Sequence, residues 1–253
     1  MAIGYQLIGD GPAKVLVLHG WFGDETMLDP MRPALSTDAF TYCCMAYRGC
    51  GKSKAMSGRY TMDEIAEDAL ALADRLGWQR FAVLGHSMGG MAAQKVLVKA
   101  KERVRGLVAV TPVPATGVPF DDQTWGFFTS AAGSIEARAG IIDFSTGGRL
   151  SKTWSQRLAR HSWDSADPQA FAAYLPAWAK TDFSAEVRGL ATPALVVAGE
   201  HDPSLTAEVL KATYLALLPK ARLEVLANAG HYPMDEVPVA LATSVERFLG
   251  ELP

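Results

Sequence analysis

Residues 81–93 read FAVLGHSMGGMAA. The apolar run at 81–84 is typical of a buried strand, the pentapeptide Gly85-His86-Ser87-Met88-Gly89 fits the pattern GxSxG, and small residues that suit a helix follow. GxSxG alone is weak evidence, but a strand before it and a helix after it form the setting that holds a central serine in a strained turn. Only small flanking residues leave room for such a turn. The segment therefore predicts a strand, a sharp turn that presents the Ser87 hydroxyl, and a helix.

Similar short apolar runs recur along the chain, with helical stretches between them. Buried runs of this length that alternate with helices are typical of a mostly parallel sheet. One helix is well delimited, because Thr61 and Glu64 form a capping-box pattern and Gly77 is placed as a C-terminal glycine cap. Another begins at Pro238 and carries an apolar stripe. We predict an α/β fold in which helices flank a mostly parallel central sheet. Its predicted strands are residues 15–18, 42–46, 81–84, 107–110, 195–198 and 223–226.

The alternation of strands and helices breaks between about Pro112 and Asp182. No convincing buried strand occurs in this stretch, and turn-forming residues border it on both sides. We therefore predict a core domain built from residues 1–111 and 183–253, with a helical cap inserted at residues 112–182.

Four of the six tryptophans fall within the predicted cap. They can pack the cap onto the core, line an apolar substrate pocket, or do both. Trp125 of the cap and Phe22 of the core are candidates for contacts with a substrate.

A serine hydroxyl is a weak nucleophile at neutral pH and needs a base that a carboxylate orients. Of the five histidines, His231 is best placed, in a loop between the last predicted strand and the last helix. Asp202 follows the strand at 195–198 and is favoured over Glu200, which comes directly after a glycine and is expected to brace the loop. The candidates thus occur along the chain in the order Ser87, Asp202, His231. The chain order of nucleophile, acid and base differs from one serine-triad fold to another.

The remaining histidines are assigned no catalytic role. His201 adjoins the acid candidate and cannot easily serve as a base beside the residue that would orient it. His19 and His86 flank glycines and are expected to pack or to hydrogen bond in the two active loops. His161 is expected on the surface of the cap.

Acyl transfer also needs backbone donors that face the developing negative charge on the substrate oxygen. The N–H of Met88, directly after the proposed nucleophile, is the first candidate. The loop after the first long strand, Leu18-His19-Gly20-Trp21-Phe22, offers the N–H of Trp21 as the second.

From about residue 12 to its end, the sequence resembles the α/β-hydrolase family. The resemblance implies a hydrolase that uses no cofactor and carries a cap domain, similar to carboxylesterases, enol-lactonases and cofactor-free perhydrolases. Four positions depart from patterns common in the family: Ala46 replaces an aspartate, and Phe22 replaces a proline that perhydrolase-like members often carry. His86 stands where carbon-carbon bond hydrolases often have asparagine, and Met91 stands where lyases of menaquinone synthesis usually have arginine. The motifs that carry the resemblance are residues 19–21, 48–53, 85–90, 199–202 and 230–231.

Composition excludes several other classes of protein. Twenty-four basic and 27 acidic side chains give the 253 residues a net charge of -3, without the basic excess that nucleic-acid binding requires. No apolar run approaches the length of a membrane span, and residues 1–15 lack a signal-peptide pattern, so we expect a cytoplasmic protein. The three cysteines have no metal-site spacing. Gly51-Lys52-Ser53 ends like a phosphate-binding loop, but Ala46 occupies the place of its first glycine. We expect no metal and no cofactor.

The sequence thus predicts a serine hydrolase that cleaves carboxylic esters of small or medium size through an acyl-enzyme. One alternative is hydrolysis of a lactone or a carbon-carbon bond with the same residues, which a mostly apolar cap would suit. Another is a ligand receptor on the same fold that turns over slowly. The natural substrate and the oligomeric state stay open.

Overall fold

The centre of the molecule is a seven-stranded sheet, seen in a computed structural model that describes residues 2–253. The strands are β1 (Tyr5–Ile8), β2 (Ala13–Leu18), β3 (Phe40–Met45), β4 (Phe81–His86), β5 (Val104–Val110), β6 (Ala194–Gly199) and β7 (Ala221–Leu226). Their order across the sheet is β1-β3-β2-β4-β5-β6-β7, and all neighbours are parallel except β1 and β3. The predicted fold class, a mostly parallel sheet flanked by helices, is confirmed.

Strand β1 is absent from the strands that the sequence patterns predict. It is only four residues long, lies at the edge of the sheet, and pairs with β3 alone. Of its four residues only Ile8 is buried, and Leu7 is 46% exposed. An edge strand with one solvated face lacks the continuous apolar run by which central strands are found.

Helices flank the sheet, and three of them were predicted from the sequence: the one after Ser87, the one capped by Thr61, and the one that begins at Pro238. The α-helices of residues 2–253 are α1 (Met62–Arg75), α2 (Met88–Lys99), α3 (Asp122–Ser130), α4 (Ile135–Ser145), α5 (Lys152–Ser165), α6 (Pro168–Ala179), α7 (Ser184–Val187), α8 (Ala207–Leu210), α9 (Pro233–Glu236) and α10 (Pro238–Gly250). Shorter 3₁₀ turns lie at Asp29–Ala34 and Gly51–Ser53, and a π-helical turn at Lys211–Leu215 follows α8.

Helix α1 shows how local sequence sets the ends of an element. The Thr61 hydroxyl accepts a hydrogen bond from the Glu64 N–H at 3.2 Å, as the capping-box pattern predicts. The Glu64 carboxylate closes the box on the N–H of Tyr60, one residue earlier than expected. At the other end Gly77 has φ +71°, and the N–H of Trp78 bonds back into the last turn. This Schellman-type end stops the helix and directs the chain into β4.

Helices α3 to α6 all lie between β5 and β6, and this insertion contains no strand of the sheet within the described residues. Each of the four begins at a side-chain cap that bonds to a backbone N–H of its first turn. The caps are Asp121, Ser134, Ser151 and Asp167. The division into a core domain and a cap at residues 112–182 stays a prediction. No helix of residues 2–253 combines the length and the apolar character that crossing a membrane demands.

The sheet also determines where a site can form. Every residue of β3, β4 and β6 is buried, so the centre of the sheet is available only for packing. Parallel strands end at the same edge, and ligands of open α/β sheets bind outside the carboxyl ends of the strands. The loops after β2, β4, β6 and β7 meet at that edge, and together with the first residue of α2 they carry every catalytic and oxyanion candidate from the sequence.

Candidate active site

Ser87 lies in the sharp turn between β4 and α2. Its backbone has φ +54° and ψ -121°, a conformation that costs free energy for a residue with a side chain. A methyl group at Gly85 would clash with the carbonyl oxygen of Gly89, and one at Gly89 would clash with that of Leu18. Both glycines of the pentapeptide are therefore required for the chain to make this turn, in agreement with the reading of the sequence.

The structure brings Ser87, His231 and Asp202 together in one hydrogen-bonded line. His231 Nε2 lies 2.9 Å from Ser87 Oγ, and His231 Nδ1 lies 2.7 Å from Asp202 Oδ2. With the proton on Nδ1, the imidazole donates to the carboxylate and accepts from the serine hydroxyl. The three groups come from the ends of three different strands, so the fold assembles the arrangement that the sequence order suggested.

The Asp202 carboxylate is held in a fixed orientation and stays ionised. Its Oδ1 atom accepts hydrogen bonds from the N–H groups of Ser204 and Leu205, both at 3.0 Å. Burial by itself would raise the pKa of Asp202, but His231 and these two N–H groups outweigh it and lower the pKa below its ordinary value. Glu200, the competing acid, accepts instead from the N–H of Asn228 at 2.8 Å and braces the loop there.

The loop of His231 is fixed from both sides. Its carbonyl oxygen accepts from Thr111 Oγ1 at 2.9 Å and lies 2.8 Å from His86 Nε2. Its N–H donates to the carbonyl of Ser145, at the end of α4 in the insertion, at 3.1 Å. The insertion therefore helps to orient the imidazole.

Two further histidines support the site without carrying charge. Burial lowers the pKa of His19 to about 4 and that of His86 to about 3, so both rings are neutral at ordinary pH. The His19 ring stacks on Tyr47 at 3.8 Å between centroids, and its Nδ1 lies 2.8 Å from the carbonyl of Gly20. These contacts fit the packing and hydrogen-bonding roles expected for both residues.

Two backbone donors near Ser87 have no acceptor. Among the hydrogen bonds of residues 2–253, none uses the N–H of Trp21 or that of Met88. Met88 is the first residue of α2, where helical N–H groups are free and the helix dipole favours negative charge. The loop with Trp21 approaches Ser87 closely, since a methyl group added at Gly20 would lie 3.2 Å from Ser87 Cβ. The arrangement suits an oxyanion that develops beside Ser87.

The Trp21 side chain ties its loop to the insertion. Its indole Nε1 donates to the carbonyl of Phe171 on α6 at 2.8 Å, and the two rings stack with centroids 4.3 Å apart. The guanidinium of Arg138, on α4, lies 3.5 Å from the centre of the Phe171 ring on a buried side chain. Trp21 is thus held by a stack that extends into the insertion.

A cavity of about 370 Å³ lies in front of Ser87, between the edge of the sheet and α3 to α6. Its wall is mostly apolar, and its volume falls in the range of small-molecule sites. Phe22 lies in this wall, as the sequence analysis suggested. The other large apolar side chains that form it include Trp21, Phe128, Trp154, Leu158 and Trp178.

Trp125 is not part of this wall. Its ring lies near Phe120, with centroids 6.5 Å apart, and Lys180 Nζ lies 3.8 Å from the ring centre. Helix α3 instead presents Phe128, one turn later, to the cavity. The geometry gives no support to Trp125 as a substrate contact. Trp125 was chosen by residue type, since the sequence does not say which side of an inserted helix faces the cavity.

Part of the cavity wall is polar and was not predicted from the sequence. His161, expected on the cap surface, is half-exposed and pairs with Asp24, and both residues line the cavity. The spacing of Trp154, Leu158 and His161 places them on one face of a helix and was an available signal. No group of metal-binding side chains with three or more members occurs in residues 2–253.

Comparison with known proteins shows which family the sequence matches and which proteins it resembles. Residues 14–238 match a family model described as alpha/beta hydrolase fold. The chain is 26% identical to 3-oxoadipate enol-lactonase 2 of Acinetobacter baylyi, across 97% of this chain and 92% of that protein. It is 27% identical to a pimeloyl-[acyl-carrier protein] methyl ester esterase of Nitrosomonas europaea, across 94% and 95%. An esterase structure from Exiguobacterium antarcticum superposes with a TM-score of 0.88 at 20% identity, covering 98% of this chain and 96% of that one.

Proposed function

This chain belongs to the α/β-hydrolase fold family, and from that premise we propose that it is a serine hydrolase that cleaves carboxylic esters of small or medium size through an acyl-enzyme. The observation that carries the proposal is the hydrogen-bonded line from Asp202 through His231 to Ser87. Nucleophilic catalysis by serine needs this combination of an attacking hydroxyl, a base in contact with it, and an acid that orients the base.

In the first half-reaction His231 Nε2 takes the Ser87 proton while Oγ attacks the ester carbonyl carbon. The carbonyl oxygen becomes an oxyanion, and the free N–H groups of Trp21 and Met88 stabilise it. When the tetrahedral intermediate collapses, the ester C–O bond breaks and His231 gives its proton to the departing alcohol. Asp202 stays ionised throughout and stabilises the transient imidazolium.

In the second half-reaction a water molecule replaces the alcohol. His231 takes a proton from the water, and the hydroxide attacks the acyl-enzyme carbonyl. Collapse of the second tetrahedral intermediate breaks the bond to Ser87 Oγ, which recovers its proton from His231. The products are a carboxylic acid and an alcohol, and the enzyme returns to its starting state.

The size of the cavity supports the proposal that the substrates are esters of small or medium size. A wall of aromatic and aliphatic side chains around about 370 Å³ suits an acyl group of a few carbons or a small ring. We expect hydrolysis of nitrophenyl esters with an optimum among short and medium chains when the acyl group is varied from two to twelve carbons. Absence of turnover with every ester, together with no labelling of Ser87 by a fluorophosphonate, would refute the proposal.

Lactone hydrolysis is the second candidate. It is favoured by the enol-lactonase of Acinetobacter baylyi, which aligns along 97% of this chain, and by the enclosed apolar wall, which suits a ring. A lactone panel measured beside the linear esters separates the two functions. A preference for linear esters of tenfold or more in kcat/KM would count against lactone hydrolysis.

Trp21→Phe tests the role of the loop that offers the second oxyanion donor. The variant keeps an aromatic ring for stacking on Phe171 and removes the hydrogen bond to its carbonyl. We expect kcat for the best ester to fall roughly tenfold, because small misplacements of catalytic groups cost rate steeply. KM should change less, because the donor acts mainly on the transition state.

The matched control for this variant is Trp125→Phe, which changes a tryptophan outside the cavity wall. Its kcat should equal that of the unmodified protein. Equal kcat values for the two variants would show that the Trp21 hydrogen bond does not position the loop.

A further inference from the structure

Helix α5 presents several large side chains to the cavity. Trp154, Leu158 and His161 follow each other at helical spacing, and all three line the cavity. The other side of the helix carries buried small residues, among them Ala159 and Ser162, that pack within the insertion. One face of helix α5 thus lines the cavity, and a residue on this face also contacts a loop at the edge of the sheet.

His161 makes such a contact with the loop after β2, residues 19–27, here termed the oxyanion loop. His161 Nε2 lies 2.8 Å from Asp24 Oδ2. The Asp24 side chain is only 4% exposed, whereas that of His161 is 44% exposed. Asp24 Oδ1 also accepts from the N–H of Thr26 at 2.9 Å, so the carboxylate is fixed within the loop.

Hydrogen bonds therefore connect the oxyanion loop to two residues of the insertion, Phe171 and His161, and the stacking of Trp21 on Phe171 adds to them. The first is the hydrogen bond from Trp21 to the Phe171 carbonyl, which does not titrate. The second is the pair between Asp24 and His161, three residues further along the loop. We propose that His161 is a positioning residue, which holds the oxyanion loop through Asp24 and makes the position of the Trp21 N–H depend on its own protonation. This inference rests on the proposed hydrolase function.

The charges around His161 favour its protonated form. The carboxylates whose charges act on His161 are Asp24 and Glu25 of the oxyanion loop and Asp164 of its own helix, and Asp235 of α9 also interacts with it. The hydrogen bond with Asp24 is the largest effect and raises the pKa of His161 above its ordinary 6.5, although burial opposes this. Two cations lie nearby: the guanidinium of Arg157, also on α5, lines the cavity and opposes the rise in the pKa of Asp235, and Lys54 Nζ donates to the Asp164 carbonyl at 2.7 Å.

The sign of the pH effect follows from the raised pKa. His161 is charged below its pKa, so the ion pair is fully present below pH 6.5 and is lost as pH rises through the raised value. Neutral His161 still offers one N–H to Asp24, but a charge-assisted hydrogen bond is the stronger of the two. The loop is therefore held more tightly at acidic pH than at basic pH.

His161→Gln supplies the kinetic test. Glutamine can donate an N–H to Asp24 but carries no charge at any pH, so it imitates neutral histidine. The variant keeps the catalytic residues, and dividing the kcat of the unmodified protein by that of the variant cancels their shared titration. We expect a ratio of about two to five at acidic pH that declines toward one at basic pH, as a partly exposed pair allows. KM should differ little between the two proteins. A ratio that does not change with pH would overturn the proposal.

Asp235 needs its own control, because burial raises the pKa of this carboxyl and it could titrate in the same range. The ratio is therefore measured again in an Asp235→Asn background, with and without His161→Gln. The decline with pH should persist there. Its disappearance would assign the effect to Asp235 and overturn the role of His161.

A second test does not depend on turnover. In the unmodified protein, the His161 ring resonance in NMR spectra, assigned by its absence from His161→Gln, should titrate with a midpoint above 6.5. Asp24→Asn should lower this midpoint. The backbone N–H resonance of Trp21 should shift with the same midpoint in the unmodified protein and not in His161→Gln.

The proposal would be overturned by an unchanged His161 midpoint in Asp24→Asn. It would also be overturned if the Trp21 N–H resonance in the unmodified protein did not shift with the His161 midpoint. If the protein hydrolyses no ester, the hydrolase function fails, while the resonances still decide whether His161 positions the loop.

Discussion

Ser87→Ala should lower kcat for the best nitrophenyl ester by a factor of roughly 10⁴ to 10⁶, the loss expected when a nucleophile is removed from a complete triad. Alanine provides no oxygen to attack the carbonyl, so no acyl-enzyme forms. The backbone strain at φ +54° is equal for serine and alanine, and the variant should keep the fold and its Tm. Mass spectrometry after fluorophosphonate treatment should detect one added label on the unmodified protein and none on the variant.

Ser57→Ala is the matched control for this prediction. Ser57 is an exposed serine outside the cavity wall, so its removal should leave both kcat and fluorophosphonate labelling unchanged. Full activity in Ser87→Ala would move the chemistry to another residue. Labelling that survives in Ser87→Ala would show that the reagent reacts elsewhere and would remove it as evidence for the proposed nucleophile.

The parts of the structure that could be predicted are those that local sequence controls. The turn at Ser87 needs two glycines without side-chain clashes, and both the need and the glycines are visible within five residues. The ends of α1 are set by Thr61 and Gly77 within the same short range. Parallel strands end at one edge, so residues directly after β4, β6 and β7 were expected near each other although 144 positions separate Ser87 from His231.

The parts that could not be predicted depend on how the insertion sits on the sheet. Trp125 and Phe128 lie on one short helix, and nothing in their local sequence says that Phe128 is the one that reaches the cavity. The contact between His161 and Asp24 joins residues 137 positions apart on two elements whose relative placement comes from tertiary packing alone. Strand β1 was not predicted for a different reason: an edge strand with solvated side chains lacks a strong apolar pattern.

The insertion contacts two parts of the proposed active site, the loop of His231 and the loop of Trp21. Ser145 of α4 accepts from the N–H of His231, and Phe171 of α6 accepts from the indole of Trp21. In the proposed mechanism, these contacts orient the base and the oxyanion loop, so the insertion contributes more than the wall of the cavity. Substitutions inside the insertion should therefore change kcat as well as the range of substrates.

Asp202→Asn should lower kcat by a factor of roughly 10³ to 10⁴, the second largest effect expected here. The two oxygens of the carboxylate have different partners. Oδ1 accepts from the N–H groups of Ser204 and Leu205, so the amide oxygen of asparagine takes this place. The NH₂ group then occupies the place of Oδ2 and points its hydrogens at His231 Nδ1.

Two donors cannot share one hydrogen bond, so His231 in this variant must carry its proton on Nε2 and leave Nδ1 as the acceptor. Nε2 can then no longer accept the Ser87 proton, and the base is lost although every atom keeps its position. Glu200→Gln is the control, because it makes the same change on a carboxylate that braces the Asn228 N–H. Its kcat should stay within about threefold of the unmodified value. A large loss in Glu200→Gln with little loss in Asp202→Asn would instead identify Glu200 as the acid that orients His231.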